Sequence, residues 1–115
     1  MIVIITLKLN KEFKRAYYRG SFKSHPLLTT YMVKNNKVRY GITTSKKIGI
    51  AVNRNRARRI IRQAFKELCN ENFVKKGDYV FVARSETVKS KSNIIKEVMK
   101  KQLNFIYEKD SHRNN

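Results

Sequence analysis

The chain has 115 residues, enough for one domain with a modest core, and its 41% hydrophobic content excludes a disordered basic tail. Its 27 Lys and Arg against 8 Asp and Glu leave a formal net charge of +19, a surface that repels itself and calls for a polyanion, either nucleic acid or an anionic membrane. The charge is also segregated: no acid occurs between Glu12 and Glu67, an interval that holds fifteen Lys and Arg.

In chain order, residues 1–5 are apolar but lack a basic flank, and Lys8 follows early, so the segment is too short for a signal peptide or a membrane span. It reads as an edge strand or, with residues 1–8 as a whole, a loose terminus. A helix is predicted from Asn10, a good N-cap, to Gly20, a good residue just past a C-terminus. Phe13, Ala16 and Tyr17 form its apolar stripe. Residues 27–33 and 38–44 are rich in β-branched and aromatic types and read as strands, with residues 34–37 as a hairpin turn between them. A loop over residues 45–49 leads to a helix over residues 53–69. Gly77 and Asp78 introduce a third strand, residues 79–83. The last helix begins near Ser90 or Ser92 and carries Ile94, Ile95, Val98, Met99, Leu103 and Ile106 on one face. Residues 110–115 are polar and expected to fray. The order is αββαβα, a single α+β domain over residues 1–115 with helices packed on a small sheet.

The informative segment is the helix over residues 53–69. At ~100° per residue, Ala57, Ile60, Ile61, Ala64, Phe65 and Leu68 share one side. Arg54, Arg58, Arg59, Arg62 and Lys66 share an adjoining arc of roughly 140°, while Arg56 points elsewhere. A guanidinium fork grips a phosphate with two N–H groups and stacks on a base. With no Glu alternating among these arginines, a merely solvated face is disfavoured. A helix-turn-helix or zinc module, the usual company of a DNA-reading helix, is not visible, whereas a rigid Arg face suits RNA read by backbone and shape. Aromatic residues Phe13, Tyr17, Tyr18 and Phe22, with Tyr31 and Tyr40 on the strands, lie among basic ones. They are candidates for stacking single-stranded bases, although Phe13 and Tyr17 at i, i+4 are more often core than platform. No catalytic set is legible: the basic region has no carboxylates, His25 and His112 are isolated, and Asp78 and Asp110 suit a turn and a terminus. The lone Cys69 cannot form an internal disulfide, which fits a reducing cytoplasm. A ribosomal or ribosome-assembly protein and a DNA-binding module stay open on these grounds. Membrane attachment is disfavoured because no helix joins a basic face to large exposed apolar residues.

The run from Lys46 to Phe65, with its lysine pair, Ile48-Gly49 turn, Ala51-Val52, and Arg54-Asn55 opening a basic helix, resembles the signature of the bacterial ribonuclease P protein component family. Asn10 to Phe13 with Tyr17 and Gly20, and Tyr79 to Arg84, are similar to that family's first helix and later strand. The resemblance implies an α/β sandwich with an unusual left-handed βαβ crossover, against the usual hand. It implies the protein subunit of an endoribonuclease holoenzyme that removes the 5′ leader of precursor tRNA, with the chemistry done by a catalytic RNA and its Mg²⁺ and no catalytic or metal-binding residue on this chain. Lys46, Lys47, Arg54, Asn55, Arg56, Arg58, Arg59, Arg62 and Lys66 are then the expected contacts to the catalytic RNA. Phe13, Tyr17 and Tyr31 are the expected cleft for the single-stranded leader.

Overall fold

The computed structural model describes residues 4–113. Five strands form one sheet: β1 (Ile4–Thr6), β2 (Ser21–His25), β3 (Leu28–Val33), β4 (Val38–Thr43) and β5 (Gly77–Ala83), in the spatial order β1-β4-β5-β3-β2. Three helices, α1 (Asn10–Arg19), α2 (Ala51–Asn70) and α3 (Ser92–Arg113), pack on it. Short 3₁₀ turns at Lys46–Ile48 and Ser85–Lys89 lead into α2 and α3.

β5 is central and reads as an almost continuous apolar run because both of its faces are covered. Tyr79, Phe81 and Ala83 join Leu28, Met32 and Tyr40 beneath α2 and α3, which contribute Ile61, Phe65, Leu68, Ile95, Met99, Leu103 and Ile106. Val80 points the other way, to Leu7 and Ala16, with Phe13, Tyr31, Val33 and Val82 packed around them. The sheet is therefore sandwiched between α1 on one face and α2 with α3 on the other.

Polar locks fix the layers. Gln102 of α3 is buried; its amide donates to the carbonyls of Lys23 (3.0 Å) and Leu28 (2.7 Å) and its oxygen accepts from Thr30 (2.7 Å), tying α3 to the β2–β3 hairpin. The Tyr79 hydroxyl donates to the Lys75 carbonyl (2.6 Å) and meets the Tyr107 hydroxyl at 2.6 Å, which in turn accepts from the Lys75 N–H (3.0 Å). Lys96 pairs with Glu71 just past the end of α2.

Several expectations are corrected. Residues 34–37 are not a hairpin turn: β5 inserts between β3 and β4, antiparallel to the first and parallel to the second. The hairpin lies earlier, where β2 pairs antiparallel with β3 across Pro26-Leu27. β2 is a polar edge strand with four of its five residues exposed, so it carries no alternating pattern. Residues 4–8 are not loose: β1 runs parallel to β4, the Leu7 N–H donates to the Tyr40 carbonyl (2.7 Å), and Leu7 is buried. Buried Ile106 and Tyr107 hold α3 through Asp110, and Asp110 pairs with Lys34 at 3.5 Å. Residues 1–3 and 114–115 lie outside the described residues. Gly20 has an extended backbone rather than a left-handed one. A Cβ there would sit 2.5 Å from the Ala16 carbonyl oxygen and 2.7 Å from that of Met32, so the glycine allows close approach of α1 to β3.

Candidate nucleic-acid interface

The loop after β4 makes its 3₁₀ turn and then passes through Gly49, whose φ of +95° favours glycine, into α2. The helix buries Ala57, Ile61, Ala64, Phe65 and Leu68 as the periodicity predicts. Arg59, Arg62 and Lys66 are exposed, and Arg54 and Arg58 are half-buried. Among the described residues, no basic side chain of α2 makes an ion pair; Glu12, Glu71, Asp78, Glu86 and Asp110 all pair with basic residues outside this helix. Arg58 is held by neutral partners, donating to Asn55 Oδ1 (3.2 Å) and to Thr44 Oγ1 (3.1 Å), so its charge stays available. Arg56 is exposed and shares with Arg59 a hollow also lined by Gln63 and Ser90, so it belongs beside the arc rather than apart from it. Asn55 and Lys47 are exposed. The Lys46 side chain lies outside the described ones.

On the opposite face of the sheet, Phe13 and Tyr17 close a hollow with Asn10, Lys14 and Thr43. Tyr17 meets Tyr31 edge-on at 5.0 Å between ring centroids, and Tyr31 stacks against Phe22 at 5.4 Å. Phe22 is 52% exposed, so the ladder ends in an open aromatic face. Gly41 makes this possible: a Cβ there would lie 2.5 Å from the Phe13 ring. Tyr40 is not part of this surface. It points to the other face and packs on Phe65 at 5.3 Å. The two surfaces meet at the end of β4, where Thr43 lines the aromatic hollow and the next residue, Thr44, holds Arg58.

Asp78, expected in a turn, is instead fully buried in β5. Arg39 donates two hydrogen bonds to it, both 2.7 Å, and a third to Glu12 at 2.6 Å; Asn35 donates to the same Asp78 at 2.8 Å. Arg39 thus leaves the free positive surface to which its sequence position assigns it. Glu12 also accepts from the N–H groups of Leu9 (2.9 Å) and Lys8 (3.1 Å) at the start of α1. These backbone bonds first, and Arg39 second, hold its carboxyl below the usual carboxylate range. Among the described residues no three His, Cys, Asp or Glu side chains gather. With Glu12 and Asp78 already engaged by Arg39, these side chains do not fit a Mg²⁺ site. His25 accepts from the Leu27 N–H (3.0 Å) in the hairpin turn. The His112 side chain lies outside the described ones. No described helix is long and apolar enough to cross a membrane.

The family model for ribonuclease P matches residues 4–107. The chain belongs to the bacterial ribonuclease P protein family. It is 42% identical over 96 residues to the ribonuclease P protein component of Clostridium novyi, covering 80% of this chain and 81% of that one. To the Pelotomaculum thermopropionicum ribonuclease P protein component it is 38% identical over 105 residues, covering 90% and 93%. The solved Staphylococcus aureus RNase P protein superposes with a TM-score of 0.69 at 27% identity, over 90% of this chain and 92% of that one. The Thermotoga maritima RNase P protein shares the fold, with a TM-score of 0.71 at 24% identity over 88% and 94%.

Within this ribonuclease P fold, two residues at the candidate surfaces, Thr43 and Thr44, are not among the sequence candidates, and Phe22 is a stacking candidate outside the expected leader cleft. Phe22 stands among the aromatic residues in sequence, but only the β2–β3 pairing of Phe22 with Tyr31 brings it to the cleft. Thr43 and Thr44 carry no chemical signal; their position at the end of β4 is what matters. For Phe22, the signal was His25-Pro26, a turn that makes the preceding residues the first arm of a hairpin.

Proposed function

We propose that this chain is the protein subunit of a cytoplasmic ribonuclease P holoenzyme. It binds the catalytic RNA through α2 and its leading turn (Lys46, Lys47, Arg54, Asn55, Arg56, Arg58, Arg59, Arg62 and Lys66) and cradles the 5′ leader of precursor tRNA against Phe13, Tyr17 and Tyr31. Hydrolysis of the leader phosphodiester then belongs to the RNA with its bound Mg²⁺. The contribution of the chain is to position the substrate: arginine forks fix RNA phosphates, and the aromatic ladder stacks unpaired leader bases without regard to their identity.

The observation that carries this reading is the junction at Thr43-Thr44, which sets an aromatic surface beside an array of guanidinium groups that make no ion pair among the described residues. A single-stranded leader leaving a structured RNA needs such a pair of neighbouring surfaces. The test is reconstitution of the chain with a bacterial ribonuclease P RNA at low Mg²⁺, using precursor tRNAs with leaders of zero to ten nucleotides. The protein alone should not cleave; adding the RNA should restore 5′ processing, and affinity should rise with leader length. Robust cleavage by RNA-free protein, or affinity indifferent to the leader, refutes the reading.

A further inference from the structure

Helix α1 has a second flank that the proposed function does not use. On the side away from Phe13 and Tyr17, a hollow of about 560 Å³ opens between α1 and the start of β4. That size falls within the range of about 300–1,000 Å³ typical of pockets that seat small organic groups. Its rim carries Lys11, Lys14, Arg15 and Arg19 together with Tyr18. Its floor is the Arg39–Asp78–Glu12 cluster, where Arg39 already takes up both carboxylates. Arg15 adds a weak approach to Asp78 at 4.0 Å. Among the described residues Lys11, Lys14 and Arg19 make no ion pair. The lining holds five cations against two carboxylates, so the hollow is positive although acids form its floor.

Tyr18 gives the surface its character. Its ring is 85% exposed, more than any other exposed large apolar residue among those described. It touches none of the aromatic ladder that Tyr17, Tyr31 and Phe22 build. An exposed aromatic ring beside several cations, of which Lys11, Lys14 and Arg19 make no ion pair among the described residues, matches the two halves of a nucleotide, base and phosphate. The hollow is also remote from the α2 arginines. Arg39 is near the start of β4 and Thr44, the partner of Arg58, lies just past its end, a separation of about 16 Å at the usual rise per strand residue.

We propose that this flank of α1 is a second RNA-binding surface, which takes a single-stranded segment with its phosphates on Lys11, Arg15 and Arg19 and one base stacked on Tyr18. The segment comes either from the leader beyond the aromatic cleft or from an unpaired strand of the catalytic RNA; its chemistry is the same in both cases.

The test uses the full chain with the α2 face weakened by Arg58→Ala and Arg62→Ala, so that binding of a fluorescent, unstructured ten-nucleotide RNA reports the remaining surfaces. In that background, Lys11→Ala with Arg19→Ala should lower the salt slope by about 1.4, at about 0.7 per single-strand phosphate contact. Tyr18→Ala should weaken binding about tenfold or more, and Tyr18→Phe should keep it. Thermal melting monitors the fold, and the phenylalanine variant serves as the stacking control. In the reconstituted holoenzyme, a Tyr18→Ala penalty that grows with leader length identifies the leader as the ligand. An equal penalty on leaderless substrate identifies the catalytic RNA. Natively melting variants with unchanged affinity and slope would overturn the proposal, and so would polyglutamate displacing the RNA as well as unlabelled RNA does.

Discussion

Replacing Arg58 and Arg62 together by alanine tests the α2 surface directly, because the structure separates its folding cost from its binding cost. Arg62 is exposed and makes no ion pair among the described residues, and Arg58 gives up only hydrogen bonds to Asn55 and Thr44. Two such bonds at a partly exposed site are worth about 1 kcal/mol together, and the better helix propensity of alanine offsets part of that. For a chain of this size the melting temperature should therefore move by no more than about 4 °C. If each guanidinium holds one RNA phosphate, the slope of log K against log salt falls by about 1.4 to 1.8. At about 1.5 kcal/mol or more for each charge-assisted contact, affinity falls at least about 150-fold at low salt. The assay is equilibrium binding to the catalytic RNA between 0.1 and 0.4 M monovalent salt at fixed Mg²⁺, with melting monitored in parallel. Parallel salt lines for wild type and variant would refute the assignment. A melting drop above about 10 °C would instead make these arginines structural.

Gly41→Ala should displace Phe13, whose ring a new Cβ would meet at 2.5 Å, and reduce the leader-length dependence of affinity while leaving binding of leaderless substrate intact; titrations with both substrates check it. Gln102→Leu strands the Thr30 hydroxyl, the buried Leu28 carbonyl and the partly buried Lys23 carbonyl, so about 3 kcal/mol of stability and about 12 °C of melting temperature should be lost in a thermal scan. Because folding lowers the Glu12 pKa, its contribution is complete above the usual value of 4.5 and is lost as pH falls through the folded value; the urea midpoints of wild type and Glu12→Gln should differ at pH 7 and converge in acid. Burial pushes the Cys69 thiol up to about 11, so it should resist alkylation at pH 8 in the native protein and react on unfolding, as mass spectrometry would show.

The features legible in the sequence are those with a local period. The arc from Arg54 to Lys66 and the core face beside it follow from 3.6 residues per turn, and every residue between Asn53 and Cys69 is helical. The sheet order was not legible, because the partner of β3 is β5, some fifty residues away, and nothing in residues 34–37 records that another strand will enter between β3 and β4. β2 escaped because an edge strand with one buried residue needs no apolar alternation. Asp78 misled because a carboxylate after a glycine has the composition of a turn, whereas its role depends on Arg39 and Asn35, both distant in sequence. Tyr31 and Tyr40 look equivalent in composition. Their separation was available in principle, since alternation along β4 puts Tyr40 with Val38 and Arg39 with Gly41, but the choice of face depends on where α1 lands.

That dependence explains why the two candidate RNA surfaces meet where they do. Successive strand residues point to opposite faces, so Gly41 and Thr43 turn toward α1 while Tyr40 turns toward α2. The absent side chain of Gly41 admits Phe13, and Thr43 then becomes the rim of the aromatic hollow. Thr44, next in the chain, falls on the α2 side and bonds to Arg58. A single peptide step at the end of β4 thus joins the stacking surface to the guanidinium array. Lengthening β4 by one residue would reverse the parity, turning Thr43 toward α2 and Thr44 toward α1, and so exchange the side chains at the junction without altering any of the arginines.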